Sequence, residues 1–591
     1  MKNLKHRLKS CWVGNVLLVP ALLVPALLAP QNVVALPHQS QKMAIAAPGP
    51  HAVAAAQEIA RKGGNVFDQA IAAALSLSVT HPYYAAFGGG GFAVLRVKKA
   101  DGQSLVTTYD FREMAPAAAT RDQFVKAGDK SSTQGGLASG VPGIPAGLEA
   151  IHKAHGKLKW RALFAPALRL AEQGHAVSGE WVMATQDAWP EFNKAAQQIF
   201  GRVVLDKSRP PRERYEALTA GDIIKQPRLA KALKLFRDRG ARAFYQGEIG
   251  RDVVSSVQAA GGNMTLEDLK NYKVVQRAPV QLKWRGHDLY FMGLPSSGGL
   301  VASQALQLID RLEQKHGVPA ARSAEEAHMW GEALKLAFAS RMRLGDVDSN
   351  PQLQDIQTQL FAGERLDRLA GLFSPKNVIV PLKSKSPDLR ESLAPATKTT
   401  GETTHFSIAD AEGQAVAMTL TMNENYGSGV VTEKFGVVMN DQMDDFATRP
   451  GEPNQFGLIQ GAANEVLPGR RPLSSMTPVI VERDGEFAMT AGAPGGPRII
   501  SGVTQAILRV ITQNADAESA VTLPRVHHQF LPETLMHDPG RFAPEVLAKL
   551  KALGHELKEG RVAKVYVVRR TRDGLLEAAA DPRGEAAAGG L

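Results

Sequence analysis

The chain carries a single cysteine, Cys11, among 591 residues. That residue falls in an amino-terminal leader, so the mature protein is expected to have no disulfide, thiol nucleophile or cysteine-based metal site. Aromatic residues make up only 6% of the sequence. Its lysines and arginines are spread among acids and do not alternate with aromatic rings, which argues against a nucleic-acid groove. No internal repeat of fixed period is visible. The run Gly88 to Gly91 lacks a following Gly-Lys-Ser/Thr, so it reads as a tight structural turn and not a phosphate cradle.

What is present fits an ordinary globular protein. The apolar fraction is 44% and the mean hydropathy is −0.16, and the length suffices for one large core or several domains. The net charge of +11 is partly local, because Lys2, Lys5, Arg7 and Lys9 precede the first acid, Glu58. Behind them runs "VLLVPALLVPALLA", Val16 to Ala29, and then "NVVALP" with Val33-x-Ala35. A basic start, an apolar run and a small-residue exit predict a cleaved signal peptide over 1–35. A membrane anchor is the alternative, disfavoured by Pro20 and Pro25. Export to the periplasm or the medium follows as an expectation.

Along the mature chain, "PHAVAAAQEIARKGGNVFDQAIAAALSLSVT" predicts two helices split by Gly63-Gly64, and "GGGGFAVLRV" a strand. Residues 150–345 read as mainly helical. His328, in the helical stretch "EEAHMWGEALKLAFASRMRLGD", reads as a packed or surface residue and not a ligand. From about Asp346 to Thr400 the pattern weakens, and "LKSKSPDLRESLAPATKTTG" reads as an exposed, mobile tract. "AGAPGGPRIISGVTQAILRVI" predicts a loop-to-helix switch. The tail Ala578 to Leu591, rich in Ala and Gly, is expected to fray.

The stretch "TKTTGETTHFSIADAEGQAVAMTLTMN", Thr397 to Asn423, carries the chemistry. Two alternating runs flank "AEG", so a hairpin centred on Glu412 places Thr403 opposite Thr421, with Asn423 on the same face. Thr is a favoured strand residue in any case. Its position adds meaning: a polar linker ends at Glu402 and a strand begins at Thr403. A cut there would give Thr403 a free α-amine with a pKa of about 7.7–8.0. That amine can take the proton of its own residue's hydroxyl and make it a nucleophile.

"TTHFSIAD" resembles the start of the small subunit of γ-glutamyltransferases, members of the N-terminal-nucleophile hydrolases. "GGNVFDQAIAAAL", "GGGGFAVLRV", "YDFREMAP", "EALKLAFASR", "MNDQMDDF", "RRPLSSMTP" and "GAPGGPRI" occur in that family's order over nearly the whole mature chain. The resemblance implies an α/β (α+β) fold, a four-layer αββα sandwich. It implies a large subunit, 36–402, and a small one, 403–591, made by scission between Glu402 and Thr403. Thr403 would then be the nucleophile and Thr421 its positioning partner. Arg112, Ser474 and Ser475 would hold the substrate α-carboxylate, and Asn423, Gln442 and Asp445 its α-amino end. Gly495 and Gly496 would form the oxyanion hole, and Phe456 would lie on a lid where some relatives have tyrosine. The implied donors are glutathione and other γ-glutamyl compounds, with water, amino acids or peptides as acceptors. No cofactor, metal, nucleic acid or lasting membrane anchor is implied.

Each assignment has a plainer alternative. Arg112 and Glu113 could form a surface ion pair, Asp444-Asp445 a turn or cation site, and Ser474-Ser475 a helix cap. His405 invites a serine-type triad, but no serine elbow accompanies it and it reads as structural. Two rivals to the activity stand: a cephalosporin or glutaryl acylase on the same fold, and an unprocessed secreted binding protein.

Overall fold

The computed structural model describes residues 38–99, 101–128, 130–206, 212–380, 402–449 and 451–591. These belong to one unit, Ala35–Leu591. The leader and the 381–401 linker singled out in the sequence lie outside the described residues.

Two antiparallel seven-stranded sheets form the centre. The strands are β1 (His38–Ser40), β2 (Met43–Ala47), β3 (Gly90–Lys98), β4 (Ser104–Phe111), β5 (Val275–Arg277), β6 (Val280–Trp284), β7 (His287–Phe291), β8 (Glu402–Asp410), β9 (Ala415–Asn423), β10 (Val479–Arg483), β11 (Glu486–Gly492), β12 (Tyr566–Arg570), β13 (Leu576–Ala580) and β14 (Ala587–Gly590). One sheet runs β14-β2-β8-β9-β3-β4-β5 and the other β1-β13-β12-β11-β10-β7-β6. The period-two alternation of a strand explains the layering. In the first sheet Ala44, Ala46, Phe92, Val94, Ala409, Ala415 and Ala417 face the core shared with the second sheet. Their neighbours Ile45, Ala93, Leu95, Phe406, Ile408, Val416 and Met418 face an outer core.

That outer core is closed by α1 (Pro50–Arg61) and α2 (Val66–Thr80). Asn65 caps α2 through a reciprocal capping box with Asp68, as the sequence break at Gly63-Gly64 suggests. On the other side, α3 (Gly298–His316), α4 (Ala324–Phe338) and α5 (Arg498–Thr512) cover the second sheet. The result is the four-layer αββα arrangement.

Three expectations need correction. The helical reading of 150–345 misses β5, β6 and β7, short half-buried strands whose pattern is lost among helices. The weak region after Asp346 contains helices Ile356–Phe361 and Gly363–Ala370. The tail does not fray: β13 pairs with β1 and β12, and β14 pairs with β2 from Ala44↔Gly590 to Ala47↔Ala587. Small residues there are what a buried, closely packed strand requires, and composition alone reads them as loose.

Candidate active site

The hairpin β8–β9 builds the site. Its register is Thr403↔Thr421, Thr404↔Leu420 and onward to Ala409↔Ala415, as the turn at Glu412 dictates. The register shifts between Glu402 and Thr403, so Glu402 pairs with Asn423. Asn423 takes the left-handed conformation with φ 82°. This bend brings its N–H back to donate to Thr421 Oγ1 at 3.0 Å. Thr421 Oγ1 lies 3.4 Å from Thr403 Oγ1. Since Thr421 already accepts from Asn423, its own proton is free to point at Thr403.

The glycine run supports this hairpin from the other side. A Cβ at Gly89 would lie 2.2 Å from the Thr421 carbonyl oxygen, and one at Gly90 would lie 2.4 Å from Glu113 Oε2. Gly88 and Gly91 meet the backbone of Val438 and Thr419 in the same way. The run is a close-packing device and not the tight turn expected from the sequence, since Gly90 and Gly91 open strand β3 and Gly88 bridges Met439.

Thr403, Thr421, Asn423, Arg112, Gln442, Asp445, Phe456, Ser474, Ser475 and Gly496 line one cavity together with Leu458, Met476, Pro497 and Ile499. Gly495 adjoins the cavity without lining it. Glu402 enters as the residue before Thr403, at the start of β8.

Arg112 is buried and donates to the Asp445 carboxylate from Nη2 and to the Pro472 carbonyl from Nε at 3.2 Å. Gln442 Nε2 donates to the same Asp445 oxygen at 2.7 Å. Asp444 and Asp445 thus lie in a short 3-10 turn, Gln442–Asp445. Asp444 turns the other way, accepting from Ser132 Oγ at 2.7 Å and from Gln455 N at 3.1 Å. Burial pushes its carboxyl up to about 6.

The surface ion-pair alternative for Arg112 and Glu113 fails, because both are buried, with Arg112 Nη1 3.6 Å from Glu113 Oε2. Burial pushes the Glu113 carboxyl up to about 7 against the opposing pull of Arg112. Ser474 and Ser475 cap no helix. Ser474 Oγ accepts from Met476 N at 3.0 Å, and the Ser474 carbonyl accepts from Ser297.

Gly495 (φ 130°) and Gly496 (φ 59°) need glycine's freedom. Their carbonyls accept from Arg498 N and Ile499 N at the start of α5. Among the described residues neither glycine N–H has a protein acceptor.

His405 is structural. Its ring contacts Thr419 Oγ1 at 2.8 Å and Ser407 Oγ at 3.0 Å, and burial holds its pKa down at about 3.

Several residues escaped the sequence reading. Asn440 pins the loop before Gln442 by donating to the Gly88 and Gly140 carbonyls at 2.6 and 2.8 Å. Gln460 and Asn464 donate to the Asp445 carbonyl at 2.6 and 2.7 Å. Arg341, within "FASR", is buried near Arg112 and Asp445, and desolvation pulls it down to about 10. Only the neighbouring motifs hint at these residues. The contacts span long sequence separations that no local pattern encodes.

His328, Glu332 and His555 cluster, within reach of a common ion among the described residues. They are already partnered. His328 Nε2 meets the Ser374 carbonyl at 2.8 Å and its Nδ1 meets His555 Nε2 at 2.7 Å, while Lys335 lies 2.8 Å from Glu332. The packed reading of His328 therefore suffices.

The family model for gamma-glutamyltranspeptidase matches residues 52–591. A glutathione hydrolase proenzyme of Escherichia coli K12 is 36% identical over 540 residues, covering 89% of this chain and 88% of that protein. A cephalosporin acylase from Bacillus halodurans shares the fold with TM-score 0.79 at 21% identity, covering 98% of this chain and 99% of that one. A gamma-glutamyltranspeptidase from Pseudomonas nitroreducens, complexed with L-DON, gives TM-score 0.50 at 33% identity, covering 57% of this chain and 96% of that one. With the family model matching nearly its whole length, the chain belongs to the gamma-glutamyltranspeptidase family.

Proposed function

We propose that this chain is the proenzyme of an exported γ-glutamyltransferase/glutathione hydrolase, and that scission between Glu402 and Thr403 arms it. The observation that carries the reading is the Thr403–Thr421 hydroxyl pair, 3.4 Å apart, in one cavity with the Arg112–Asp445 ion pair. The name proenzyme, borne by the E. coli relative, supports processing. So does the Pseudomonas nitroreducens match, where 96% of a solved chain corresponds to only 57% of this one.

The chemistry follows from the groups present. After scission the Thr403 α-amine takes its hydroxyl proton, and Thr421 donates to the oxygen and steers it. The substrate's α-carboxylate exchanges for Asp445 on the planar Arg112 fork, with Ser474 and Ser475 as further donors. Its α-ammonium takes Asp445, Gln442 and Asn423. Without substrate the two charged receptors neutralise each other, which limits the cost of keeping both buried.

Oγ1 attacks the γ-carbonyl carbon, and the oxyanion faces the Gly495 and Gly496 N–H groups, a donor type whose loss costs about 2.7–4 kcal/mol. The amine leaves with the proton, giving a γ-glutamyl ester on Thr403. Water resolves the ester as hydrolysis; an amino acid or peptide resolves it as transfer. Glutathione is the donor this reading favours. A glutaryl acylase has no α-ammonium to hold, so Asp445 and Gln442 favour the γ-glutamyl donor. The basic-apolar leader over 1–35 supports export, and no helix among the described residues is long and apolar enough to cross a membrane.

The test is amino-terminal sequencing of the purified exported protein, together with hydrolysis of γ-glutamyl and glutaryl anilides. Expected are two new termini, one past the leader and one at Thr403, and turnover of the γ-glutamyl anilide alone. The Thr403→Ala variant is expected to remain one chain without turnover; efficient scission in it overturns the assignment.

A further inference from the structure

The cavity beside Thr403 measures about 20 Å³, room for little more than one water molecule. A glutamyl head enters only if a wall moves. One wall is the loop Pro453 to Ile459, which carries Phe456 and Leu458. A Cβ at Gly496 would sit 3.0 Å from the Phe456 ring, so the phenyl lies directly on the candidate oxyanion hole. The loop is self-contained. Pro453 bridges Ile459, and Asn454 N donates to the Leu458 carbonyl at 3.0 Å. Asn454 Oδ1 accepts from Phe456 N and Leu458 N at 3.0 and 3.1 Å. Such a loop moves as a piece.

Its ties to the body lie on two sides. At the base Gln455 N donates to Asp444 Oδ2 at 3.1 Å, and Asn454 Nδ2 reaches the Asp444 carbonyl at 3.5 Å. At the tip Gln529 Nε2 donates to the Phe456 carbonyl at 3.0 Å. Gln529 stands in "RVHHQF", a tract the proposed chemistry leaves unused, and it is buried.

Its orientation is fixed from behind. Gln529 Oε1 lies 2.9 Å from His527 Nε2, and His527 Nδ1 lies 2.8 Å from Ser501 Oγ. Because Nε2 of the amide serves a carbonyl, Oε1 must accept from His527 Nε2–H. His527 Nδ1 is then an acceptor and Ser501 its donor. The protons point one way, from α5, which begins just after Gly495-Gly496, to the lid tip.

We propose that Gln529 is the latch of the lid, a positioning residue whose amide N–H holds Phe456 over Thr403 and whose release opens the cavity to substrate. Ser501 and His527 keep that amide facing the lid. This rests on the reading of Phe456 as a lid in the proposed function. A latched lid shields the γ-glutamyl ester from water between donor departure and acceptor arrival, so the latch sets the balance of hydrolysis and transfer.

The experiment uses the full processed protein with Gln529→Glu and Gln529→Leu. The first keeps an acceptor for His527 but sets a carboxylate against the Phe456 carbonyl. The second removes both bonds. Hydrogen exchange, read without substrate, is expected to show amides of 454–458 exchanging roughly tenfold faster in both, as loss of one buried hydrogen bond implies, with exchange in β8 and β9 unchanged. The share of ester resolved by water, at fixed acceptor concentration, is expected to rise severalfold. Unchanged lid exchange in both variants overturns the latch, and so does exchange accelerated throughout the fold, which would make Gln529 a packing residue. Absent γ-glutamyl turnover in the unmodified protein would refute the proposed function instead, and leaves the exchange test intact.

Discussion

A hydroxyl pair 3.4 Å apart is a weak contact by length, and its value lies in direction. Thr421 is locked by the Asn423 N–H, so its proton has one useful target. Thr421→Ala is expected to lower kcat about 10²-fold, the scale of a lost proton-positioning group, with KM for a γ-glutamyl anilide little changed. Thr421→Ser is expected to recover most of the loss, which steady-state kinetics checks directly. Glu113 offers a test of a different kind. Its folded pKa of about 7 lies above the ordinary 4.5, so the native state binds the proton more tightly than the unfolded chain. Stability is therefore highest below the ordinary value and falls as pH rises through the window from 4.5 to about 7. Glu113→Gln is expected to flatten that part of the profile, a difference on the order of 3 kcal/mol across the window, read from urea midpoints at several pH values. A profile that keeps its slope in the variant would assign the titration to another carboxyl.

At the scale of elements, the hairpin was legible to the residue because both strands alternate and the turn at Glu412 leaves one symmetric register. The bulge before Thr403 was not, since a register shift needs the positive φ of Asn423, which no spacing announces. Helices with a cap and a clear stripe were legible. β5 to β7 and β14 were not, because short strands and runs of alanine and glycine acquire meaning only from partners far along the chain. The same holds for the site: motif residues could be named, while Asn440, Arg341, Gln460 and Gln529 are recruited by folding. The glycine run permits a test at this scale. Gly89→Ala would drive a methyl to within 2.2 Å of the Thr421 carbonyl, and overpacking of that kind costs about 1–3 kcal/mol. Both the denaturation midpoint and kcat are expected to fall. Gly179→Ala has open space around its added methyl and is the control, expected to change neither.

Across the whole molecule, each sheet interleaves strands from before and after the proposed cut. In the first, β2 pairs with β14 and β8, and β3 with β9; in the second, β1 pairs with β13, and β7 with β10. Buried polar contacts cross the same boundary. Arg96 donates to Glu482 at 2.6 Å and to the Gly413 and Gly485 carbonyls at 2.8 and 2.7 Å. Separating the pieces would break these contacts together with both shared sheets and expose the apolar core between them to water. After scission the two pieces are accordingly expected to co-elute in gel filtration at any dilution and to part only in denaturant. The carboxyl-terminal strand should share in this hold. Lys42 N donates to the Leu591 carbonyl at 2.8 Å and Leu591 N to Met43 at 3.1 Å, which shields an edge of the sheet that carries Thr403. Deleting Ala587–Leu591 is expected to lower Tm by several degrees and to slow scission, measured by calorimetry and by the rate at which the two bands appear. If the deletion left both unchanged, the tail would be an ornament on the sheet and the hairpin would owe its geometry to β3 and β2 alone.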